Sequence, residues 1–257
     1  MHTTTAVIPV YFAAEQHVEL TDSIVRKVLN EKIAKLYIIL NGGTGSHLKK
    51  GKKMIKEYLN KNRDRLTLIE APNNNIYEMW NMGWKAALDD YGDEVLIAFL
   101  NNDIDFLPAT LEVLAKAVLK NEIWVTYPDS NCSVENGARV TGRTIPTRGS
   151  KCHGGMTGHC FLLKGGIHTK AGFPLFDTRY QCWYGDDDFA FRVEQYGFQI
   201  HRVEGLPCNH LNEATVQYRP DVAVKRDEDH SLFISQWRDI DCVATSYMVS
   251  SQLARLF

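Results

Sequence analysis

Short apolar runs alternate with amphipathic stretches through the first half of the chain, and this alternation most narrows the folds available to it. Each run is unbroken, as is typical of a strand buried on both faces. The intervening stretches repeat apolar residues at helical spacing, as Ile76, Trp80, Gly83 and Ala87 do. Strand alternating with helix predicts an α/β protein with a parallel, Rossmann-like sheet covered by helices. The predicted strands are Ala6–Tyr11, Leu36–Leu40, Leu66–Ile69 and Val95–Leu100, and the predicted helices are about Glu19–Glu31, Leu48–Asn60 and Ile76–Asp89.

The end of the fourth predicted strand is crowded with polar side chains. The stretch FLNNDIDFLP, residues 99–108, places Asn101, Asn102, Asp103 and Asp105 directly after a buried run. In open α/β sheets, ligands bind outside the carboxyl ends of the strands, so these side chains are predicted to lie at a ligand crevice. Carboxylates there need a counter-charge, and their hard oxygen atoms favour Mn²⁺ or Mg²⁺, which commonly bind a diphosphate. As an alternative, Asp103 or Asp105 would cap the following helix.

A loop of backbone amides for binding phosphate is absent from the sequence. There is no GxxxxGK[ST] pattern and no GxGxxG after the first predicted strand. The stretch NGGTG, residues 41–45, follows the second predicted strand and favours a plain turn. We therefore expect a metal ion and side chains, rather than a glycine-rich loop, to bind any diphosphate.

Composition and charge indicate a globular protein rather than a membrane-spanning, secreted or disulfide-linked one. The chain is 44% hydrophobic and 23% charged with a net charge of −2, which is ordinary for a globular protein. No window approaches the ~18–20 apolar residues of a membrane span. The N-terminus lacks a signal-peptide pattern, so we expect a cytoplasmic protein, in the host cytoplasm if the chain is phage-encoded. Six cysteines without a CxxC pair predict reduced thiols.

A second metal hypothesis comes from the stretch CHGGMTGHC. It contains Cys152, His153, His159 and Cys160, which could bind zinc. Their spacing does not match a common zinc finger or ribbon, so we favour a loop that closes over a ligand.

Two basic regions stand out against the nearly neutral chain. Residues 46–65 carry a net charge of +6, and the run Lys49–Lys56 has four lysines at helical spacing. The polar segment Arg139–Lys151 adds three arginines and a lysine. The plain interpretation is a solvated helix face and a lid. The alternative is contact with an anionic partner, either a donor diphosphate or the phosphates of a nucleic acid.

Residues 5–215 contain, in order, the motifs VIPVYF, LNGG with NNNIYEMWNMGWKAAL, FLNNDIDFLPATLEVL, GGMTGHCFLLKGG and WYGDDDFAFRVEQYGFQI. These five motifs resemble those of family-2-type glycosyltransferases with the GT-A fold. That fold joins a Rossmann-like nucleotide-sugar-binding sheet to a smaller acceptor-side sheet. The last motif is similar to the W-G-G-E-D-D-D-[IL]-x-x-R stretch of galactosyltransferase-like members, and His210 in CNHLNE stands where that family has a metal-binding histidine.

The resemblance implies a domain organisation and a set of site residues. It implies a catalytic domain over 1–215, and residues 216–257 are expected to form a helical extension that packs on it. Asp103, Asp105 and His210 are the implied metal ligands, with Asn101-x-Asp103 and Asp103-x-Asp105 both open as the D-x-D motif. The implied donor-binding residues are Pro9, Tyr11, Asn41, Asn81, Asn101, Asn102, Trp183 and Arg192.

The acidic run Asp186, Asp187 and Asp188 is the candidate for the catalytic base. On a helix that begins there, Asp186 and Asp188 point apart, so one can face the crevice while Asp188 pairs with Arg192 at i+4. Crowded carboxylates raise one another's pKa, which suits a proton acceptor near neutral pH. The resemblance places the catalytic aspartate at Asp186. The alternative is a run that only caps its helix.

Together these features predict a metal-dependent hexosyl- or pentosyltransferase. The resemblance implies a nucleotide-sugar donor, for which we expect a UDP-sugar, and inversion at the sugar. The acceptor stays open between a glycan, a protein side chain and a hydroxymethylated base in DNA. The family's acceptor-contacting glutamate is replaced by Gly185, which puts a glycan acceptor in question. The rival from another class is a nucleotide-sugar-binding protein without catalysis.

Overall fold

The computed structural model describes residues 2–72, 75–120, 123–129, 143–147, 156–170, 172–211 and 224–237. Several predicted features lie outside these residues. They are Arg139, Arg148, Lys151, Cys152 and His153 of the polar segment, together with most of the predicted C-terminal extension.

The first half forms the predicted parallel sheet, with strand order β3-β2-β1-β4. All four predicted strands and all three predicted helices are present. The first helix begins at Glu15, earlier than predicted, and buries His17 and Val18 in its first turn. The elements are β1 (Thr4–Phe12), α1 (Glu15–Asn30), β2 (Lys35–Gly43), α2 (Gly45–Lys61), β3 (Leu66–Glu70), α3 (Ile76–Tyr91) and β4 (Leu96–Leu100).

The second half extends the same sheet in mixed orientation. Strand β8 pairs antiparallel with β4, and β6 links β8 to the long strand β9. Two short strands, β5 and β7, pair antiparallel with β9. The elements are β5 (Ile104–Phe106), α4 (Thr110–Val118), β6 (Ile123–Asp129), β7 (Thr144–Thr147), β8 (Cys160–Lys164), α5 (Ile167–Lys170), α6 (Gly185–Gln195), β9 (Gln199–His210) and α7 (Lys225–Trp237).

Apolar side chains cover both faces of the sheet. Strand β1 shows this directly, because Ile8 belongs to one buried cluster and its neighbour Val7 to the other. The second cluster is rich in aromatic rings, and Phe233 and Trp237 of α7 complete it, with Trp237 stacked on Phe191 at 4.9 Å between ring centroids. Within the described part of the chain, no helix is long and apolar enough to cross a membrane.

The start of α4 corrects one alternative from the sequence. The N-terminal cap of this helix is Ala109, whose N–H donates to a carboxylate oxygen of Glu31 at 2.7 Å. Residues 104–106 instead form strand β5. Neither Asp103 nor Asp105 caps α4, so the capping interpretation of these two carboxylates was wrong.

Candidate functional site

The carboxyl ends of the parallel strands and the start of β8 meet at one edge of the sheet. Because β8 runs antiparallel to β4, its first residue, Cys160, pairs with Leu100, the last residue of β4. The N–H of Asn101 then donates to the carbonyl of His159 at 2.9 Å. The polar residues after β4 therefore lie against the residues that precede β8.

Strand β5 brings Asp103 to His210. Ile104 pairs with His210 in the β5–β9 register, and the N–H of Leu211 donates to the carbonyl of Asp103 at 3.0 Å. As a result, Oδ1 of Asp103 lies 3.2 Å from Nε2 of His210. The structure thus brings together two predicted metal ligands that are far apart in the sequence.

A second imidazole lies against this pair. The rings of His159 and His210 stack with centroids 4.6 Å apart and planes 12° apart. Burial lowers the pKa of His159 to about 4, and the nearby charge of His210 acts in the same direction. His159 is therefore a neutral ring at physiological pH. Cys160, the other described member of the zinc hypothesis, is a buried free thiol.

The donor atoms at this edge fit a hard divalent cation. An ion with metal–ligand bonds of ~2.1 Å places adjacent ligand atoms about 3 Å apart, close to the separation of Asp103 and His210. The side-chain oxygen of Asn101 is buried there without a hydrogen-bond partner. No group of three or more His, Cys, Asp or Glu residues with metal-binding geometry occurs in the described residues. A bound ion would therefore take its other ligands from water and substrate, as Mg²⁺ commonly does.

The two aspartates of NNDID differ in their surroundings. Asp103 is 5% exposed and contacts His210. The side chain of Asp105 is 46% exposed and pairs with Lys27 on α1. The geometry therefore favours Asn101-x-Asp103 over Asp103-x-Asp105 as the metal-binding pattern.

Asp186 is held by a backbone amide from across the crevice. The N–H of Gly158 donates to Oδ2 of Asp186 at 3.0 Å. Burial raises the pKa of Asp186, while backbone N–H groups and the charge of His210 act in the opposite direction. Asp186 is half-buried, and Gly158, which binds it, precedes the His159 ring that stacks on His210 of the candidate metal pair. A carboxylate in this position can accept a proton.

Gly158 also provides the space that Asp186 occupies. A Cβ atom at position 158 would lie 2.3 Å from Oδ2 of Asp186. Gly158→Ala is expected to displace this carboxylate and to lower turnover on the order of a hundredfold, as a misplacement of about 1 Å can. Turnover and thermal unfolding would be measured beside Thr157→Ala, which removes atoms. Unchanged turnover in Gly158→Ala would show that the position of Asp186 is unimportant.

Asp188 has a structural environment. It is fully buried, and the predicted pair with Arg192 is confirmed at 2.8 Å. Its other oxygen accepts from the Trp237 indole N–H and the Gln236 amide, each at 3.1 Å. Asp187 is half-buried, and its pKa is raised well above the usual value by burial and by its two acidic neighbours. Among the described residues, Asp186 is the member of the acidic run that accepts from Gly158, two residues before β8.

The absence of a side chain at Gly185 has a steric cause. The Gly185 N–H donates to the Tyr77 hydroxyl at 2.9 Å, and a Cβ at position 185 would lie 2.3 Å from Cζ of that ring. The Tyr77 hydroxyl in turn donates to the carbonyl of Cys182 at 3.1 Å. Tyr77 therefore fills the space that a glutamate at position 185 would need.

The side chains of Asn81, Asn102 and Arg192 are hydrogen-bonded to other parts of the protein. The Asn81 amide makes two hydrogen bonds to the backbone of Phe176, both 2.9 Å long. Asn102 donates to the Thr21 hydroxyl at 3.1 Å. Arg192 is 8% exposed and donates to two backbone carbonyls besides pairing with Asp188. These carbonyls belong to Pro174 and Leu175. We therefore leave Asn81, Asn102 and Arg192 out of the proposed donor site.

The remaining predicted donor-binding residues lie at or near the same edge. In the β1–β2 register, buried Pro9 pairs with Ile39 and half-buried Tyr11 pairs with Gly42, and half-buried Asn41 belongs to the end of β2. Trp183 is half-buried beneath Arg226, whose guanidinium carbon lies 4.8 Å from the ring centroid. Of this group, Pro9 is a core residue of the strand, whereas the others keep exposed surface.

No protein-family model and no curated protein matches the sequence. Solved structures do match. The mannosyltransferase PcManGT from Pyrobaculum calidifontis, solved with GDP-Man and Mn²⁺, aligns over 99% of this chain and 80% of its own, with a TM-score of 0.59 and 10% identity. S. aureus TarS, residues 1–349, aligns over 87% of this chain and 65% of its own, with a TM-score of 0.58 and 13% identity.

A third similar structure is GalNAc-T7 with UDP, GalNAc and Mn²⁺. It aligns over 82% of this chain and 44% of its own, with a TM-score of 0.56 and 15% identity. The chain has the GT-A glycosyltransferase fold. It spans less than two thirds of GalNAc-T7 and of the TarS fragment. The GT-A fold expected from the sequence motifs is confirmed.

Proposed function

We propose that this protein is a glycosyltransferase that moves a sugar from a nucleotide-sugar to an acceptor hydroxyl, with Mn²⁺ or Mg²⁺ bound at Asp103 and His210. The observation that carries the proposal is the arrangement of the site. The Asp103–His210 pair has donor atoms 3.2 Å apart, and Asp186 accepts from the N–H of Gly158, whose neighbour His159 stacks on His210. A cation site beside a carboxylate of raised pKa suits departure of a diphosphate and activation of a hydroxyl.

Each residue has a distinct role in this proposal. The ion, when bound, would neutralise the negative charge that develops on the leaving diphosphate. Asp186 would accept the proton of the acceptor hydroxyl, and Gly158 holds its carboxylate by one hydrogen bond. Asn101, Asn41 and Tyr11 would line the nucleotide side of the crevice. We propose inversion at the sugar because the family resemblance implies it, and in a single displacement Asp186 would act as the base.

We propose a UDP-sugar as the donor. Among the similar structures, GalNAc-T7 was solved with UDP and PcManGT with GDP-Man, so both nucleotides belong in the test. Purified protein with Mn²⁺ would be screened for hydrolysis of UDP- and GDP-sugars, and candidate acceptors would then be weighed by mass spectrometry. Nucleotide release with a hexose or pentose mass added to an acceptor is expected. Tight donor binding without any turnover would instead support the non-catalytic nucleotide-sugar-binding protein.

A nucleic-acid acceptor is favoured by one surface of α2. Lys49, Lys53 and Lys56 are exposed on this helix, whereas Lys52 pairs with Glu70 at 2.9 Å. Exposed lysines on one helix can neutralise successive phosphates of a duplex. A hydroxymethylated base in DNA is therefore the second candidate acceptor, beside a glycan or a protein side chain.

Charge reversal on α2 tests this acceptor. The triple variant Lys49→Glu, Lys53→Glu, Lys56→Glu is expected to weaken duplex binding and to flatten its dependence on salt, because fewer counterions are released. Donor hydrolysis should hardly change, since α2 carries none of the proposed catalytic groups. Binding would be measured by fluorescence anisotropy at several salt concentrations, with Lys61→Glu as a single-charge control. A wild-type protein without salt-sensitive duplex binding would exclude DNA as the acceptor.

A further inference from the structure

Helix α7 directs a buried carboxylate at the loop that precedes the acidic run. Asp229 is 2% exposed. One of its oxygens accepts from the N–H groups of Cys182 at 3.0 Å and Trp183 at 2.9 Å, and the other accepts from Gln181 at 3.0 Å. Three consecutive N–H groups thus bind one side chain. A buried charge is tolerated only with such partners, so this contact fixes the loop firmly.

The same helix also binds the residue that follows the candidate base by two positions. The Trp237 indole N–H donates to Oδ1 of Asp188 at 3.1 Å. Between the two contacts lies Tyr184, whose φ of 60° is in the left-handed region and whose ring stacks on Phe233 of α7 with centroids 5.6 Å apart. Helix α7 therefore holds the chain on both sides of Asp186.

We infer that Asp229 and Trp237 are positioning residues for Asp186 in the reaction proposed above, on which this inference rests. Residues 181–184 set the direction in which α6 begins, and the first turn of α6 contains Asp186. A tyrosine with positive φ is disfavoured by about 1 kcal/mol or more, so its backbone needs support from the surroundings. Without Asp229 the loop can relax, and Asp186 then moves relative to Gly158 and to the Asp103–His210 pair.

Asp229→Asn is the first variant to examine. An asparagine keeps the size but replaces one accepting oxygen by an NH₂ group, so the Gln181 N–H loses its 3.0 Å acceptor and keeps only the 3.1 Å contact with the oxygen that already serves Cys182 and Trp183. We expect kcat to fall at least about tenfold, as a shift smaller than 1 Å can cause, while the donor Kd changes less than about twofold. Asp227→Asn is the matched control, because Asp227 lies on the same helix and is exposed. Trp237→Phe keeps an aromatic ring but loses the bond to Asp188, and it should lower kcat in the same way.

A double-mutant cycle with Asp186→Asn separates positioning from general stability. If Asp229 and Trp237 act through Asp186, their variants should lower kcat in the wild-type background and have almost no effect on the residual turnover of Asp186→Asn. Equal fold-losses in both backgrounds, or wild-type kcat in both folded variants, would overturn the inference. Should Asp229→Asn fail to fold, the cycle with Trp237→Phe decides. A wild-type protein that binds donor but transfers no sugar would overturn the proposed function, and this inference with it.

Discussion

Asp186→Asn is expected to lower turnover by roughly a hundredfold to ten-thousandfold, the usual cost of losing a general base. A carboxamide has nearly the same shape, and its oxygen can still accept from the Gly158 N–H, so folding should change little. It cannot take a proton from the acceptor hydroxyl. Donor affinity should survive, because the proposed donor site lies at the carboxyl ends of the parallel strands. The measurement is steady-state turnover together with donor binding at equilibrium.

The pH dependence of kcat gives the same prediction a second readout. Burial raises the pKa of Asp186 above the usual aspartate value, and a base acts only when deprotonated. Turnover of the wild type should therefore rise with pH through the pKa of Asp186, and the bound divalent cation should make that pKa lower than it is in the metal-free protein. This acidic limb should be absent from the residual activity of Asp186→Asn.

The neighbouring carboxylates are the controls for this assignment. Asp188→Asn breaks a buried pair with Arg192, and removal of one partner from such a pair typically costs about 3–5 kcal/mol of stability. We therefore expect it to lower the midpoint of thermal unfolding more than Asp186→Asn does. If Asp187→Asn abolished turnover while Asp186→Asn kept the wild-type rate, the base would be Asp187. Normal turnover in all three variants would show that the acidic run only caps α6 and has no part in catalysis.

Asp103→Ala is expected to lower both metal affinity and turnover. A direct ligand should cost more than the about 10–100-fold in affinity that an outer partner typically costs. A catalytic ion supplies several kcal/mol, so turnover should fall on the order of a hundredfold to a thousandfold. Mn²⁺ binding would be followed by calorimetry in the absence of donor. Chelator should inactivate the wild type, and added Mn²⁺ should restore it.

Asp105→Ala is the matched control for the metal site. Asp105 is paired with Lys27 at the surface, and such pairs contribute only about 0–1 kcal/mol to stability. Wild-type Mn²⁺ binding and turnover are therefore expected for this variant. Loss of Mn²⁺ binding in Asp105→Ala with retention in Asp103→Ala would establish Asp103-x-Asp105 as the motif. Full activity of the wild type in chelator would remove the metal from the mechanism.

Local pattern was enough to predict the first half of the fold. Unbroken apolar runs as short as Leu36–Leu40 favour buried strands when amphipathic helices flank them, and the structure places them in a parallel sheet. The i+4 pair of Asp188 with Arg192 was predictable for the same reason, because helical spacing alone brings the two side chains together. The motif resemblance added Asp103, His210 and Asp186 as site residues, which are still predictions.

Contacts between distant segments could not be predicted from the sequence. The three-residue strand β5 has no periodicity of its own, and it forms because β9 offers it a partner. The stacking of His159 on His210 depends on the antiparallel pairing of β8 with β4, and no spacing between the two histidines encodes that pairing. The sequence does contain one indication of where His159 lies, because this residue directly precedes an apolar run that is typical of a strand.

The sequence by itself determined which segments form strands and helices and which polar residues follow the strands, because these depend on the side chains of near neighbours. Only the tertiary structure decided what each polar group binds. In the folded protein, Asp105 pairs with Lys27, and Asn81 binds the backbone of Phe176. Asp229 accepts from three N–H groups of a loop that lies 46–48 residues away along the chain. A buried polar group must take whichever partner the packing of other segments brings within about 3 Å, and that choice is made by the whole fold.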